Sequence, residues 1–376
     1  MRSRDSLTIG FLRRGYSPTG GVEAYLKGLA KGLRGEGHRV VLLGTEAWPS
    51  DQWPGGEILR CSGRSLKAYG EDVLRHRLTG EIPFDLILSV EKVPGCDLYR
   101  TDEGLHLVWL AERSKYLSPW KRFFLFLSRK HREKLRLEKK LFTPSSTRRV
   151  ISLSEKISRE IVAHYNYPAT QITLIRNGVA TQGIPTPQER EAVRRKLGIS
   201  SDVKIALFVG TGWERKGLGF AIAAVERLGD PKLQLLVAGE GPEKRYASPS
   251  VRFLGAVEKM STVYAAADIF LFPTLFDPFP LATLEALAAG LPVITTTANG
   301  VSEIMTPGLH GEVIAEPSDI TALREALQKW LLILENPEQS AQARSHCATL
   351  ASQFTLERNL AETLTVIHEV MKEKAL

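Results

Sequence analysis

The sequence predicts an α/β protein built from two doubly wound, Rossmann-like domains. Apolar strands alternate with helical patterns through the first half of the chain, and the alternation restarts in the second half. The 376 residues are enough for two domains with separate cores. Because continuous Val, Ile and Leu strands joined by helices form parallel sheets covered on both faces, we expect one such sheet in each half.

The first half has the pattern of an N-terminal domain over residues 1–178. A buried strand is expected at residues 7–12, and after a glycine-bearing loop a helix runs from about 22 to 34. The further strands are expected in the stretches RVVLLGT, FDLILSV, VISLS and ITLI. Turn residues crowd residues 176–187, which indicates an interdomain linker.

The second half has the pattern of another domain over residues 188–352. Its strands are expected in the stretches VKIALFVG, LQLLVAG, VRFLG, IFLFP and LPVITT, and its helices at 218–228, 261–267 and 281–289. Residues 353–376 show apolar positions at helical spacing. We expect this last helix to cross back to the N-terminal domain.

Composition and cysteine content indicate a cytoplasmic protein. The N-terminal apolar run is too short for a secretory signal, and no stretch approaches the roughly 18 apolar residues of a membrane span. The three cysteines are far apart and fit no zinc spacing, which is typical of free thiols in a reducing compartment.

Almost all of the net charge lies in one aromatic segment, residues 118–140. This segment holds nine Lys and Arg and two Glu, whereas the whole chain has a net charge of +8. On a single helix over residues 118–142, the aromatic and leucine side chains share one broad face and the cations lie opposite. The charges exclude a membrane span, and two interpretations remain open: packing against the protein's own N-terminal domain, or docking on an anionic membrane. The membrane-contact residues of the second interpretation are Trp120, Lys121, Arg122, Phe123, Phe124, Phe126, Arg129 and Lys130.

The most informative motif is FDPFPLATLEALAAGLPVI, residues 276–294. Asp277 and Glu285 bracket a loop that enters a helix. The free amides at such a helix start suit an anionic ligand, and Glu285 could accept hydrogen bonds from sugar hydroxyls. The alternative is that Asp277 caps the helix and Glu285 is solvated.

A second motif, GTGWERKG at residues 210–217, lies between a strand and a helix. Arg215 and Lys216 would lie at the carboxyl edge of a parallel sheet, where such sheets bind ligands, and together they could neutralise a diphosphate. The motif lacks the GK[ST] of a Walker loop. An ordinary loop with two solvated cations is the alternative.

The third motif, RRGYSPTGGVEAY at residues 13–25, contains adjacent glycines. Gly20 and Gly21 would let the backbone approach a phosphate or sugar closely, although a plain tight turn would also use them. The chain has neither a DxD nor an HExxH motif, so we predict that no metal takes part. The cations and the helix dipole would then stabilise a leaving diphosphate.

Together and in this order, the three motifs resemble those of the GT-B glycosyltransferases of family 4. The resemblance covers nearly the whole chain, and its most specific part is the carboxylate–x7–Glu element followed by ALAAGLPVI, with RKG upstream. The stretch EKVPGCDLYRTDEGLHLVWLAERSKYL looks like the lipopolysaccharide core glucosyltransferase I group. The resemblance implies two Rossmann-like domains that face each other across a cleft, and retaining, metal-independent transfer of a hexose from a nucleotide-sugar, with no cofactor.

The resemblance also implies residue roles. Arg215 and Lys216 would hold the diphosphate, and Glu285 would bind the ribose hydroxyls. Asp277, which stands where the family usually has Glu, would contact the donor sugar. The remaining donor-site residues by position are Gly20, Gly21, Gly212, Gly255, Ala256, Val257, Phe279, Pro280, Leu281 and Ala282.

Asp102, in YRTDEGLH, is predicted to orient or deprotonate the acceptor, beside catalytic roles for Arg215, Lys216 and Asp277. A loop carboxylate that caps a turn is the alternative for Asp102. The implied donor is UDP-glucose, and the implied acceptor is a lipid-linked saccharide such as the lipopolysaccharide inner core. Three other functions stay open: another family 4 transfer, an inactive sugar-binding relative, and nucleic-acid binding through residues 118–140.

Overall fold

The computed structural model of the protein describes residues 6–18, 20–63, 65–80, 82–180 and 183–375, without the side chains of Phe126 and Ala375. The chain divides into two compact units. The first comprises Met1–Arg176 and Glu357–Leu376, and the second comprises Asn177–Leu356.

The described part of the first unit contains a sheet of seven parallel strands in the order β3-β2-β1-β4-β5-β6-β7. The strands are β1 (Thr8–Leu12), β2 (Arg39–Gly44), β3 (Glu57–Arg60), β4 (Leu86–Ser89), β5 (Leu98–Arg100), β6 (Arg149–Ser152) and β7 (Ile172–Leu174). The central strands are buried along their whole length, which is why they appear in the sequence as unbroken apolar runs.

Six helices of the first unit connect these strands. They are α1 (Gly21–Gly35), α2 (Leu66–Thr79), α3 (His106–Lys115), α4 (Pro119–Leu127), α5 (Arg129–Leu141) and α6 (Glu155–Tyr165). The predicted first helix is confirmed as α1. Its face of Leu26, Leu29, Ala30 and Leu33 packs into the core, and Glu23 in its first turn complements the helix dipole.

The second unit contains six parallel strands in the order β10-β9-β8-β11-β12-β13 within its described residues. The strands are β8 (Lys204–Val209), β9 (Leu233–Ala238), β10 (Val251–Gly255), β11 (Ile269–Phe272), β12 (Val293–Thr296) and β13 (Gly311–Ile314). The helices are α7 (Pro187–Lys196), α8 (Trp213–Lys216), α9 (Leu218–Leu228), α10 (Glu243–Tyr246), α11 (Met260–Ala266), α12 (Leu281–Ala288), α13 (Ile320–Glu335) and α14 (Pro337–Ala351). Each predicted strand and helix of this half has a counterpart among them.

Each sheet has one point at which the strand order reverses: between β1 and β4 in the first unit, and between β8 and β11 in the second. The connections from these paired strands leave to opposite sides, so a crevice opens outside their carboxyl ends. The loops that follow β8 and β11 carry the RKG and FDPFPL motifs. The fold therefore brings two motifs that are far apart in sequence to one edge of one sheet.

The last helix, α15 (Leu356–Ala375), belongs to the first unit. Val366, Ile367 and Val370 are buried in the core of that unit. The Asn359 side chain donates a hydrogen bond of 2.7 Å to the carbonyl of Arg176. The chain thus leaves the first unit after Arg176 and re-enters it through α15.

The prediction of one continuous helix over residues 118–142 is wrong. Helix α4 ends at Leu127 and α5 begins at Arg129, because Ser128 between them has φ −57° and ψ 119°, outside the helical region. A helical wheel drawn through Ser128 therefore combines faces that do not coincide.

A buried carboxylate holds α5 in place. Glu138 accepts hydrogen bonds from the backbone amides of His106 and Leu107 and from the hydroxyl of Tyr165. The ammonium of Lys92 lies 3.6 Å from the same carboxylate. Since the two amides are the first of α3, Glu138 satisfies that helix start and ties α5 to it.

Candidate functional site

The RKG motif forms a tight turn at the carboxyl end of β8. Gly212 and Gly217 flank the short helix α8 with φ of 70° and 79°, a conformation that favours glycine. A Cβ atom at Gly217 would lie 1.9 Å from the carbonyl oxygen of Pro273. The carbonyl of Arg215 accepts hydrogen bonds from the Leu275 amide at 2.9 Å and the Thr274 hydroxyl at 3.1 Å. The turn after β8 is therefore fastened to the loop after β11.

Asp277 pairs with both cations of that turn. Its Oδ2 accepts hydrogen bonds from Nη1 of Arg215 and Nζ of Lys216, both at 3.1 Å. The Asp277 side chain is 8% exposed, that of Lys216 13% and that of Arg215 33%. Nη1 of Arg215 also donates to the Phe276 carbonyl at 2.8 Å. The structure thus gathers three predicted site residues in one partly buried cluster with an excess of one positive charge.

Electrostatics favour the ionised form of the Asp277 carboxyl. Burial alone would raise the pKa of the Asp277 carboxyl, but attraction to Lys216 and Arg215 outweighs it and holds that pKa below its ordinary value. Burial lowers the pKa of Lys216 despite the attraction of Asp277. Two alternatives from the sequence are wrong: Asp277 does not cap a helix, and Lys216 is not a solvated cation.

Helix α12 begins directly after this cluster. Its N-cap residue is Pro280, which has no capping side chain, and no acceptor among the described residues contacts the amides of Leu281 and Ala282. The carbonyl of Phe279, one residue earlier, accepts a hydrogen bond of 2.6 Å from the Asn177 side chain. The open amides and the positive end of the helix dipole are suited to an anion.

Glu285 lies one turn into α12 and is partly buried rather than solvated. Its Oε2 accepts a hydrogen bond of 2.8 Å from the hydroxyl of Tyr264 on α11. Burial raises the pKa of Glu285, and the hydrogen bond from Tyr264 opposes part of that rise. The Glu285 carboxylate is thereby oriented, and Oε1 accepts no hydrogen bond from the described residues.

The segment 255–257 begins at the last residue of β10, at the carboxyl edge of the same sheet. Gly255 has φ 64° and accepts a hydrogen bond of 2.7 Å from the amide of Gly239 through its carbonyl. Ala256 is exposed and Val257 partly buried. The predicted donor-site residues of the second unit therefore share one sheet edge, although contacts join only some of them directly.

Gly20 and Gly21 lie at the start of α1, after β1. A Cβ atom at Gly20 would lie 2.0 Å from Oε2 of Glu23, so the glycine makes room for that buried carboxylate. Arg13 donates to Oε1 of Glu23 at 2.8 Å and to Oε1 of Glu91 at 3.2 Å. In this structure the backbone at Gly20 therefore lies close to the side chain of Glu23.

Asp102 lies in the loop after β5, with its side chain 7% exposed. Oδ1 pairs with the fully buried guanidinium of Arg100, which stacks on the Tyr25 ring at 3.7 Å. Oδ2 of Asp102 is buried and has no hydrogen-bond partner among the described residues. A buried carboxylate oxygen without a donor is costly, which suggests that a hydroxyl group completes this site.

Helix α4 exposes most of its apolar side chains. Trp120 is 76% exposed, Phe124 63%, Phe123 58% and Leu127 47%. The prediction for Phe126 concerns a side chain that lies outside the described residues. The structure buries Leu125, Leu141 and Phe142 instead. The packing interpretation therefore holds for Leu125 and for the end of α5, and is wrong for Trp120, Phe123, Phe124 and Leu127.

Part of the second unit matches a known protein family. Residues 203–332, which include the turn after β8, Asp277 and Glu285, match the family described as Glycosyl transferases group 1. The second unit therefore carries a glycosyltransferase domain, similar over these residues to group 1.

Relatives extend the likeness of this glycosyltransferase to both units. The lipopolysaccharide glucosyltransferase WaaG of Escherichia coli K12 is 25% identical over 380 residues, which cover 96% of this chain and 99% of WaaG. A crystal structure of WaaG aligns with a TM-score of 0.80 at 22% identity, over 96% of this chain and 99% of the other. Anabaena HepE, solved with UDP-glucose, aligns at 0.71 and 19% identity, over 96% and 100%. The predicted GT-B fold and the resemblance to the lipopolysaccharide group are confirmed.

Several partners in the glycosyltransferase were missed by sequence reasoning. Tyr264 precedes Glu285 by 21 residues, and no motif links them. Arg100 lies two residues before Asp102, a spacing that could have suggested the ion pair. Glu23 is an acidic residue in a helix first turn, a pattern that suggests dipole compensation but gives no hint of Arg13 and Glu91.

Two features are absent from the part of the chain that the structure describes. No group of three or more His, Cys, Asp or Glu side chains there is arranged to hold a metal ion. No described helix combines the length and apolarity needed to cross a bilayer.

Replacing Asp277 with asparagine is expected to lower the free energy of unfolding by about 3 kcal/mol near neutral pH, because both cations lose a buried counter-ion. The folded pKa of Asp277 lies below the unfolded value of about 3.9. Its contribution is therefore present above that value and is lost as the pH falls through the folded pKa. Urea unfolding of wild type and D277N at about pH 7.5, 5.5 and 3.5 should give equal differences at the first two and a smaller one at the third.

The matched control is Asp51→Asn, which changes an exposed carboxylate in the first unit. Its effect should stay within about 0.5 kcal/mol at each pH. A D277N protein as stable as D51N near neutral pH would contradict the structural importance of the cluster.

Proposed function

We propose that the chain is a retaining, metal-independent family 4 glycosyltransferase that transfers glucose from UDP-glucose to a lipid-linked saccharide of the lipopolysaccharide inner core. The observation that carries the proposal is the cluster of Arg215, Lys216 and Asp277 beside the open start of α12. The full-length likeness to WaaG supports the sugar and the acceptor class.

The donor diphosphate would lie between the two cations and the start of α12. The planar guanidinium of Arg215 and the ammonium of Lys216 can donate hydrogen bonds to the phosphate oxygens. The amides of Leu281 and Ala282 can donate to them as well. Glu285, oriented by Tyr264, would accept hydrogen bonds from the ribose hydroxyls. HepE, which shares the fold, was solved with UDP-glucose, and this is consistent with such a donor.

The uracil and the sugar would extend to either side of the diphosphate. The backbone of residues 255–257 offers amides and carbonyls to the base. Oδ2 of Asp277 accepts the hydrogen bonds of both cations, and Oδ1 receives no hydrogen bond from the described residues. Oδ1 can therefore accept a hydrogen bond from a sugar hydroxyl. Asp is one methylene shorter than Glu, so the sugar would have to approach the cluster closely.

Departure of UDP would be assisted by the fixed positive charge of Arg215 and Lys216 rather than by a metal ion. Negative charge accumulates on the β-phosphate as the C1–O bond breaks, and the positive cluster is already in place to stabilise it. We favour attack on the face that the diphosphate leaves. The acceptor oxygen bonds to C1, and its proton passes to the departing phosphate oxygen.

The orphaned Oδ2 of Asp102 gives that residue a role toward the acceptor. A sugar hydroxyl that donates to Oδ2 would satisfy a buried acceptor atom and would be oriented for attack. Arg100 holds the other carboxylate oxygen, so the orientation of Asp102 is set before any ligand binds.

The deciding experiment is a transfer assay with UDP-glucose and a truncated lipid A–core acceptor in the presence of EDTA. Retained α-configuration of the new bond in the NMR spectrum is expected. The mechanism would be contradicted by an inverted configuration of the new bond. It would also be contradicted if transfer required added metal or if a covalent glycosyl-enzyme were trapped. Transfer only to unrelated acceptors would contradict the lipopolysaccharide assignment and leave the family 4 chemistry intact.

Replacing Arg215 or Glu285 with alanine is expected to weaken UDP-glucose binding about tenfold or more, because each removes a hydrogen bond to or from a charged group. Calorimetry and the donor-induced shift in melting temperature measure the effect. Arg227→Ala, an exposed arginine on α9, is the control and should bind as wild type does. Wild-type binding by both site variants would place the donor elsewhere.

Asp102→Asn is expected to lower transfer about a hundredfold while donor binding stays unchanged, because the acceptor hydroxyl loses its orienting carboxylate whereas the Asn carbonyl can still accept a hydrogen bond from Arg100. Initial rates at saturating donor, with UDP-glucose binding measured in parallel, give the comparison. A merely structural role would reduce stability and donor binding together. Full transfer by the folded variant would remove Asp102 from the mechanism.

We also propose that α4 docks the enzyme on the inner face of the cytoplasmic membrane. Trp120, Phe123, Phe124 and Leu127 form an exposed apolar patch, here called the α4 patch. Exposed cations of the same segment could meet anionic headgroups; they are Lys121, Arg122, Arg129 and Lys130. A lipid-linked acceptor provides the reason for such docking.

The double variant Lys121→Gln/Lys130→Gln is expected to lose most co-sedimentation with phosphatidylethanolamine vesicles that contain phosphatidylglycerol, because each cation near such a surface contributes about 1 kcal/mol. Trp120→Ser/Phe124→Ser should lose it as well. The control Lys31→Gln/Lys67→Gln removes two exposed charges elsewhere in the first unit and should sediment as wild type does.

Binding that ignores phosphatidylglycerol, or equal losses in the control, would contradict membrane docking. Tighter, salt-dependent binding of single-stranded RNA than of these vesicles would instead favour the nucleic-acid alternative.

A further inference from the structure

The second unit has a cavity of about 680 Å³ at the edge of its sheet opposite the glycosyltransferase motifs. Helices α7 and α14 border it, together with Lys204, the first residue of β8, and Asp268, which directly precedes β11. The cavity volume is in the range of pockets that hold small organic ligands. The RKG and FDPFPL motifs follow the carboxyl ends of the same two strands, roughly 20 Å away for a six-residue strand.

Positive charge dominates the wall of this cavity. Its cations come from α7, the start of β8 and α14; they are Arg190, Arg194, Arg195, Lys204 and Arg344. The carboxylates in the wall are Glu191 and Asp268. Glu191 faces Arg195 at 3.5 Å in an exposed pair, so the buried part of the wall depends on Asp268 for negative charge.

Asp268 is shared between two arginines. Its Oδ1 accepts a hydrogen bond of 2.6 Å from Arg190, and its Oδ2 lies 3.5 Å from Nη1 of Arg194. Oδ2 also accepts a hydrogen bond of 2.8 Å from the amide of Ile205. The buried Asp268 carboxylate is thus fully engaged by these donors. The other cations of the cavity wall therefore keep an excess of positive charge.

Arg344 adds a further cation without a counter-ion. Its guanidinium is partly buried, and within the described residues it makes no hydrogen bond and no ion pair. Burial lowers the pKa of Arg344, and the like charge of Arg190 lowers it further against the attraction of Asp268. A partly buried guanidinium with unused donors is an arrangement that a bound anion would stabilise.

Most of the remaining wall is apolar, apart from Ser200, Ser201 and Ser340. Ile199, Val203, Ala265 and Leu334 line it with Pro185 and Pro187. An inorganic ion would leave these surfaces in contact with water, whereas an anion with an organic body would cover them. Guanidinium groups bind phosphate in a bidentate manner, which favours phosphate as the anionic group.

We propose that this cavity, here called the Arg344 pocket, binds an organic phosphate at a site separate from the donor site. The Arg344 guanidinium and the Lys204 ammonium would contact the phosphate group, and the apolar wall would contact the organic body. Arg190 and Arg194, held by Asp268, would supply the surrounding positive potential. The proposal stands independently of the donor and acceptor assigned above.

Calorimetric titration with glucose 1-phosphate and with inorganic phosphate, at physiological ionic strength, tests the Arg344 pocket. Arg344→Gln is expected to weaken glucose 1-phosphate binding about tenfold or more, since it removes a charge-assisted contact. It should not lower the melting temperature of the free protein, because the guanidinium makes no hydrogen bond or ion pair with the residues that the structure describes. Lys204→Gln, as a second variant, should weaken binding as well.

Two controls separate the Arg344 pocket from other sites. Arg227→Gln removes an exposed arginine of the same unit and should bind as wild type does. Lys216→Gln changes the donor site and should leave this binding in place. If glucose 1-phosphate binding were lost in K216Q and retained in R344Q, the phosphate would bind at the donor site and the proposal would be overturned. Absence of saturable binding, or equal affinity for inorganic phosphate and glucose 1-phosphate, would also overturn it.

Discussion

The shared ion pair of Asp277 with Arg215 and Lys216 is the interaction on which the functional edge of the second unit depends. It joins the loops that follow β8 and β11, the neighbouring strands where the sheet order reverses. One carboxylate between two cations leaves an excess positive charge in a partly buried place, where electrostatic interactions are stronger than in water. The same contact therefore serves stability and provides a fixed field for an anionic ligand.

Two carboxylates of one motif acquire opposite properties from their surroundings. Cations hold the pKa of Asp277 low, whereas burial raises the pKa of Glu285 against a single hydrogen bond from Tyr264. Asp277 is consequently charged near neutral pH beside the open start of α12, and Glu285 is an oriented acceptor one turn later. The division follows from partners supplied by other elements and not from the carboxyl groups themselves.

The two units display their remaining chemistry on separate surfaces. In the first unit, Glu138 ties α5 to the start of α3, and the break at Ser128 lets α4 present Trp120 and Phe124 outward. In the second unit, the polarity of the parallel strands separates the amino-edge pocket at Arg344 from the carboxyl-edge cluster. The two positively charged regions of the second unit therefore lie apart because they occupy opposite edges of the same parallel sheet.

Local sequence patterns were sufficient to predict the two parallel sheets, the helices α1, α9 and α12, and the residues of the RKG and carboxylate–x7–Glu motifs, because buried strands and helix starts leave such patterns. The folded structure was needed to show that Asp277 faces two cations, that Tyr264 orients Glu285, and that Arg100 leaves one oxygen of Asp102 unpaired among the described residues. It also decided that α4 is exposed while the end of α5 is buried. These outcomes depend on contacts between residues distant in the chain, and no local pattern encodes which partner a side chain meets.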